Sequence, residues 1–578
     1  MRKHLLLIIT LLLTGLTSWA QSLNIGGHYA ALDTINNMWL CSVPQSYFGN
    51  DFTATVSYGD EVSDFAIDSV AVASGEEFTF LSINGGTQYA VSCQMGDSLF
   101  TGYITFTWLP VLEISCALDN AYQYGTIYVS EPDSALAQPL PMKMKMRGGA
   151  TNTPGKNKRN FRLNFINEDS IKCNRRFLGL RKDNSWILDA GQMDFLRVRN
   201  RVSTDLWLDM ARRPWYADTL PNAHNGSRGK MVEVILNGAY NGIYNMCEPI
   251  DRKQMKAKKY DEENREYHGQ LWTGYKWTRT VCMSDPSPVP YHNYIWDGFE
   301  VTYPDWKDIH RANWGILSDA VFFAGRADWN KRLLSDSLQY YFDIPVMQDY
   351  YIFIVALQAL DNESKNIYYV CHDRADNRRL TMVPWDLDVC LGANFSPSSN
   401  YPEMVKPDRP VDWITHLPMY DMYNSVKSYR DEVLERYREL RETWLDTENL
   451  VKRYRDAITE LQECGAAARE EGRWSGDTDL ARKELNLGNE MDYVENWIRQ
   501  RMAYLDEFVF IEREEEEYVK GDVNGDGEVS IADVNCVISV ILGKPDIYEG
   551  RADVNTDGEI TVSDINEIIR LILVSNPT

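Results

Sequence analysis

Asp361 and Asn366 stand in a D-x-x-x-x-N interval, the spacing by which a phosphoryl-transfer loop presents a base and a metal-ligating amide. Further on, Pro384-Trp385-Asp386-Leu387-Asp388 places two carboxylates two residues apart. If that stretch is extended, both project from one face and can share magnesium. Upstream, Arg147 opens RGGATNTPGKNKRNFRLNF, a glycine-containing loop that runs into a strand. Its backbone amides, with Arg147, Lys158 and Arg162, can hold phosphates. Each signal alone is weak. Their conjunction raises the odds of phosphoryl transfer, which needs cations around the phosphates, a base at the nucleophile and little covalent chemistry from the protein.

A second chemistry lies at the end of the chain. DVNGDGEVSIADVN begins at Asp522 and DVNTDGEITVSDIN at Asp553, 31 residues later. A hard cation takes six or seven oxygens, which carboxylates and amides at loop positions 1, 3, 5 and 12 supply, while position 7 offers a carbonyl. In the first loop these are Asp522, Asn524, Asp526 and Asp533, with Glu528 giving its carbonyl and Ser530 at position 9. In the second they are Asp553, Asn555, Asp557 and Asp564, with Glu559 and Thr561 equivalent. Gly527 and Gly558 fall where the loop must turn sharply. Two calcium ions are expected. Asp at position 12 departs from the bidentate Glu of an ordinary EF-hand, and one apolar helix follows each loop, Val534 to Leu542 and Ile565 to Leu573.

The elements that must position these groups follow from periodicity. Residues 21–112 carry short alternating runs such as Phe52 to Val56, broken by Gly, Asn and Asp, which predicts a small antiparallel β-sandwich. Trp39 is a candidate surface aromatic there for touching sugar, against the simpler expectation of core packing. From 113 onward, runs at Met142–Met146, Phe161–Phe165, Met231–Leu236 and Ile367–Val370 read as strands among helices, an α+β domain extending to 511. Asn237-Gly238 is a hairpin turn, with Glu248 following its second strand as a candidate cofactor-binding residue. Val426, Tyr429, Val433, Tyr437, Leu440 and Trp444 form one helical stripe. The acidic run at 512–518 is expected to be an extended linker before a terminal module at 519–578.

Arg2 and Lys3 precede an apolar stretch ending near Ser18-Trp19-Ala20, the pattern of an export signal over residues 1–20, so the chain is expected to be secreted or at the cell surface. No later segment has the ~20 apolar residues of a membrane span. A net charge of -25 opposes nucleic acid as a partner. The ten cysteines are scattered singly; Cys41 and Cys93 are compatible with a bridge in an oxidising compartment.

The tail, with its two loop-helix units, resembles a type I dockerin, the module that plugs enzymes into cohesin-bearing scaffolds; in dockerins loop positions 10 and 11, here Ile531-Ala532 and Val562-Ser563, help read the partner. From about 113 to 510, the segments GL...W.L at Gly179 to Leu188, D....RN at Asp194 to Asn200, NG.Y.GIY...E at Asn237 to Glu248 and PWDLD at Pro384 to Asp388 resemble the CotH kinase family, named after spore coat protein H. That resemblance implies an atypical protein-kinase-like fold that binds ATP with magnesium and phosphorylates protein side chains. It implies Lys158 as the phosphate-binding lysine, with Arg162 as alternative, Asp361 as catalytic base, Asn366 as metal amide, and Asp386 and Asp388 as magnesium carboxylates. The loop before Lys158 lacks the family's usual GNSS and Pro-Lys-Lys. Two other readings are an inactive CotH-like component of a polysaccharide-degrading, cellulosome-like assembly and, further off, a glycoside hydrolase, which would need opposed carboxylates roughly 5 to 9.5 Å apart.

Overall fold

In the computed structural model the described residues are 23–578 except 135–138, 150–151, 154, 292, 310, 328–330, 395–404, 478–483, 514–518, 525–527, 544–548 and 576–578. The export-signal stretch, most of the acidic linker and Asp526 therefore lie outside the described residues.

Nine strands come first: β1 (Leu23–Ile25), β2 (His28–Asp33), β3 (Met38–Ser42), β4 (Phe52–Tyr58), β5 (Val62–Ile67), β6 (Val70–Ala71), β7 (Glu76–Phe80), β8 (Tyr89–Met95) and β9 (Ser98–Thr107). They run β6-β5-β8-β9-β3-β2-β1-β4-β7 in one sheet, antiparallel except for the parallel β3–β9 pair. Val56 and Phe80 from one end of that order and Phe65 and Val91 from the other fill a single core, so the sheet folds over on itself as a sandwich does. Trp39 belongs to this core and is 1% exposed, which removes it as a sugar platform. Cys41 and Cys93 share the core without a bridge.

The chain then closes a barrel from β10 (Val111–Cys116), β11 (Gln123–Ser130), β12 (Leu140–Arg147), β13 (Asn160–Phe165), β14 (Ser185–Asp189), β15 (Gly229–Leu236) and β16 (Ala239–Cys247). The order is β10-β11-β12-β13-β14-β16-β15, with β10 and β15 parallel at the seam. Met142, Met144, Leu163, Trp186 and Tyr244 fill its interior. Because side chains alternate along a strand, β12 buries these methionines and turns Lys143, Lys145 and Arg147 outward. Asn237 and Gly238 join β15 to β16 with φ of 52° and 76°, the positive values a two-residue turn needs, and the Asn237 amide closes both hydrogen bonds to the Cys116 backbone.

The remainder of the body packs helices on a five-stranded sheet. After β14 comes α1 (Arg199–Met210); β17 (Gln270–Gly274), β18 (Ile295–Trp296), β19 (Phe299–Tyr303), β20 (Ile367–Cys371) and β21 (Thr381–Pro384) make the sheet, in the order β18-β19-β17-β20-β21. The helices are α2 (Gly315–Ala327), α3 (Lys331–Ser337), α4 (Ile344–Leu357), α5 (Leu417–Ser425), α6 (Lys427–Arg441), α7 (Thr447–Glu463), α8 (Ala466–Trp474) and α9 (Leu487–Tyr504). From Val346 to Leu357 every residue of α4 is buried, the mark of a helix at the centre of a core rather than on its surface. The stripe on α6 buries Tyr429, Val433, Tyr437 and Leu440, but Trp444 lies past the end of that helix and is exposed. No helix among the described residues is long and apolar enough to cross a membrane.

The tail has its own small core of Val523, Val534, Val537, Ala552, Val554 and Ile568. Its helices, α10 (Ile531–Ile541) and α12 (Val562–Ser575) around the short α11 (Glu549–Ala552), start three residues earlier than the apolar runs. The loop itself begins the helix: Ser530 caps α10 and Asp533 returns a bond to the Ser530 N–H, a capping box.

The first domain meets α8 at a glycine pair. A Cβ on Gly85 would lie 2.2 Å from the Gly465 nitrogen and 2.5 Å from the Glu463 carbonyl oxygen, all backbone and unable to yield. Gly85→Ala is therefore expected to cost about 1–3 kcal/mol, whereas Gly472→Ala, with open space around it inside α8, should be neutral or stabilising by up to about 1 kcal/mol. Urea unfolding of the two variants checks the contrast; equal stabilities would contradict the packing described.

Candidate functional site

Asp361 sits in a short 3₁₀ turn just after α4, and Asn366 immediately precedes β20. The interval folds Asn366 back so that its Nδ2 donates to Asp361 Oδ2 at 2.9 Å, while Lys365 Nζ donates to both oxygens at 2.8 and 2.7 Å. Burial raises the Asp361 pKa, with Lys365 opposing it. The β20–β21 hairpin then returns the chain beside this turn. Trp385 N–H donates to the Asn366 carbonyl at 3.0 Å and Asn362 Nδ2 to the Trp385 carbonyl at 2.7 Å.

Trp385 to Val389 is not the extended segment expected. β21 ends at Pro384, Asp386 takes a left-handed backbone at φ 61°, and residues 387–388 form a turn. Asp386 and Asp388 nevertheless converge, on Asp361 and also on Asp189 at the end of β14. Burial, then Asp189 and Asp361, push Asp386 up to about 6, with Arg147 and Lys365 pulling the other way. Burial, then Asp386, Asp189, Asp194 and Asp361, hold Asp388 well above the usual carboxylate range. Asn200 ties the groups together: its Nδ2 donates to Asp189 Oδ2 at 2.7 Å and its Oδ1 accepts the Leu387 N–H at 3.1 Å. Among the described residues no three carboxylate, histidine or cysteine side chains close into a metal shell. The donor set is all oxygen, which suits a hard divalent cation.

A polar cavity of about 470 Å³ opens beside this cluster, lined by the cations Lys145, Arg147, Arg162, Lys172 and Lys253 and by Asp183, Asp251 and Asp305. Lys145 stands directly opposite Arg162 across the β12–β13 ladder, a like-charge pair that costs stability unless an anion lies between. Arg162 Nε donates to Ser185 Oγ at 2.9 Å, and burial lowers its pKa, Arg147 adding to that. Arg147 joins the cavity to the carboxylates. It lines the one, acts electrostatically on Asp386 in the other, and holds its guanidinium 5.7 Å from the Trp385 ring centre.

Lys158 does not line that cavity. It is 1% exposed, and its ammonium donates to Glu470 Oε1 on α8 and to the Ile243 carbonyl, both at 2.7 Å. The same Glu470 oxygen receives Arg197 Nε at 2.6 Å, and its other oxygen accepts the Ile243 N–H at 2.7 Å. Lys158 and Arg197 hold the Glu470 carboxylate below its usual range against the opposing effect of burial. Glu248 is likewise taken up structurally, accepting from Arg228 at 2.8 Å and from the Arg181 N–H at 3.1 Å, and it does not line the cavity.

Sequence reasoning missed Glu470, Arg197, Asp189, Lys145 and Lys365. For Lys145 a signal exists, because M-K-M-K-M-R from Met142 to Arg147 is a strand with one oily and one cationic face. Glu470 has none; it is one of two adjacent glutamates in α8 with nothing in the sequence to single it out.

In the tail, Asp553, Asn555, Asp557, Thr561 and Asp564 surround one loop whose turn is made by Gly558 at φ +91°. Asp564 accepts the N–H groups of Asn555 and Thr561 at 3.0 and 2.9 Å, and Asp553 those of Asp557 and Gly558 at 3.1 and 2.9 Å. In the first loop Asp533 accepts those of Asn524 and Ser530 at 2.9 and 2.8 Å. Asp522, Glu528 and Glu559 lie in the irregular segments that precede α10 and α12.

The family model described as CotH kinase protein matches residues 144–505, more than half of the chain, and that described as dockerin type I domain matches residues 520–573. Among curated proteins the chain has no match.

Two outcomes follow. Glu470→Ala leaves Lys158 and Arg197 as unpaired buried cations and should cost about 3–5 kcal/mol in chemical denaturation; a loss below about 1 kcal/mol would contradict the buried triad. Calcium at 100 times its dissociation constant stabilises by roughly 2.7 kcal/mol per site. Chelation should therefore raise hydrogen exchange across α10 and α12 of the full chain while α4 stays protected; unchanged exchange in both helices would count against calcium-held loops.

Proposed function

The chain belongs to the CotH kinase protein family, and we propose that its body, a kinase-like α+β unit, transfers phosphate from magnesium-bound ATP to a protein side-chain hydroxyl. The dockerin tail, a calcium-binding module, would fasten it to a cohesin-bearing scaffold or surface outside the cell, after export on residues 1–20. The working units of this reading are 21–112, 113–511 and 519–578.

One observation carries it: the cations Lys145, Arg147 and Arg162 line a polar cavity beside the carboxylates Asp361, Asp386 and Asp388, and Arg147 acts on both fields. Phosphoryl transfer needs that pairing of charges, cations for the phosphates and carboxylates for the metal. Asp386, Asp388 and Asn366 would hold magnesium, which neutralises charge on the phosphates when bound. Arg162 and Arg147 take the phosphate-binding part first read for Lys158. Lys158, paired with Glu470, serves as a positioning residue, as the lysine-glutamate pair of protein kinases does. Asp361, kept in place by Lys365 and Asn366 and made more basic by burial, accepts the proton of the acceptor hydroxyl.

The experiment separates binding from chemistry. Asp386→Ala should weaken magnesium-dependent nucleotide binding at least tenfold with the fold intact by circular dichroism. Asp361→Ala should leave nucleotide binding in place and lower transfer about 10²- to 10⁴-fold. Unchanged nucleotide affinity in Asp386→Ala would sink the assignment, and nucleotide binding without any transfer by the unaltered chain would turn it to the inactive scaffold reading.

A further inference from the structure

A second groove, about 680 Å³, opens beside the Asp361 turn. Leu360 and Glu363, which flank Asp361 in the chain, line it, together with Trp277, Arg279, Arg409 and Trp413. Trp277 is 40% exposed, and Lys365, the residue that grips Asp361, holds its ammonium 5.1 Å from the centre of that ring. The groove thus adjoins the turn that carries Asp361.

Its charge is not neutral. Glu363 is buried and already accepts from the Thr415 N–H at 2.9 Å, the Thr415 hydroxyl at 2.7 Å and the Ser364 hydroxyl at 2.5 Å, so its oxygens are committed inward. Arg409 makes no ion pair among the described residues. Among the described residues Arg279 pairs with Asp285 at 3.1 Å, a pair in which both side chains are more than two-thirds exposed and which holds it weakly. An indole floor with two available guanidinium groups suits an extended peptide that brings an apolar or aromatic side chain and a carboxylate. It suits a neutral sugar less, since the guanidinium groups would lose hydration without gaining an anion.

We propose that this groove is the acceptor site: it takes a peptide whose hydroxyl residue is flanked by an aromatic or large aliphatic residue and by acidic residues. The proposal rests on the kinase reading for its chemistry and on the groove alone for its selectivity. The acceptor oxygen would bond to the terminal phosphorus of the nucleotide as the bridging P–O bond breaks; its proton passes to Asp361 and nucleoside diphosphate leaves.

Two arms keep the failures apart. Fluorescence anisotropy of labelled Ser-containing peptides on the full chain, with calcium and no nucleotide, tests the groove; magnesium-ATP titration on the same sample tests the kinase reading. Acidic-aromatic peptides should bind at least tenfold more tightly than matched basic or alanine-substituted ones. The double variant Arg279→Glu, Arg409→Glu should reverse the order and gain affinity for the basic peptides, a gain that misfolding cannot produce. Equal binding of acidic and basic peptides, an unreversed order in the variant, or binding of oligosaccharides in place of peptides would overturn the proposal whether or not nucleotide binds.

Discussion

One buried carboxylate joins most of this body together. Glu470 on α8 receives the ammonium of Lys158 from the loop before β13, the guanidinium of Arg197 from the turn before α1 and the N–H of Ile243 in β16. Removing such a charge from water costs several kcal/mol, and only this set of partners offsets it. The geometry is therefore nearly all-or-none. With Glu470 in place, α8 is pinned against the barrel, Arg469 one residue earlier can reach Glu233 inside the barrel wall, and Gly465 can close onto Gly85 of the first domain. The arrangement fixes the barrel strands that present Asp189 and Arg162, and so the floor of the cleft.

Across that cleft charges are arranged against their own stability. Like cations face one another on β12 and β13, and four carboxylates crowd at the mouth of the β20–β21 hairpin. Asn366 and Asp386 both adopt left-handed backbone, at φ 54° and 61°, which costs energy for residues other than glycine. Each of these is unfavourable for folding alone. Such features are typical of functional sites, where a bound partner supplies the missing charges.

Much of the scaffold could be read from residue patterns. The strands at Met142, Phe161, Met231 and Ile367 lie where alternation places them, because barrel and sheet bury one face of each. The Asp361–Asn366 pair could be read because it is local. What could not be read depends on contacts between distant parts of the chain. Lys158 looks like a phosphate ligand in its loop, and only the approach of Glu470, more than three hundred residues on, turns it inward. Asp386 and Asp388 converge through a turn and not through the strand alternation on which the expectation rested. Trp39 lies in the core, as the simpler expectation has it, whereas Trp444 falls past the end of α6 and is exposed, because the helical stripe does not mark where the helix stops.

The tail is independent in its logic: short helices, a core of few side chains and loops whose acidic residues cap the helices they precede. The body stands or falls on whether its opposed fields bind nucleotide. Calorimetric titration of ATP into the full chain, with calcium throughout and magnesium present or absent, tests this most directly. The account predicts saturable binding that requires magnesium; no heat at millimolar ATP in either condition would contradict it.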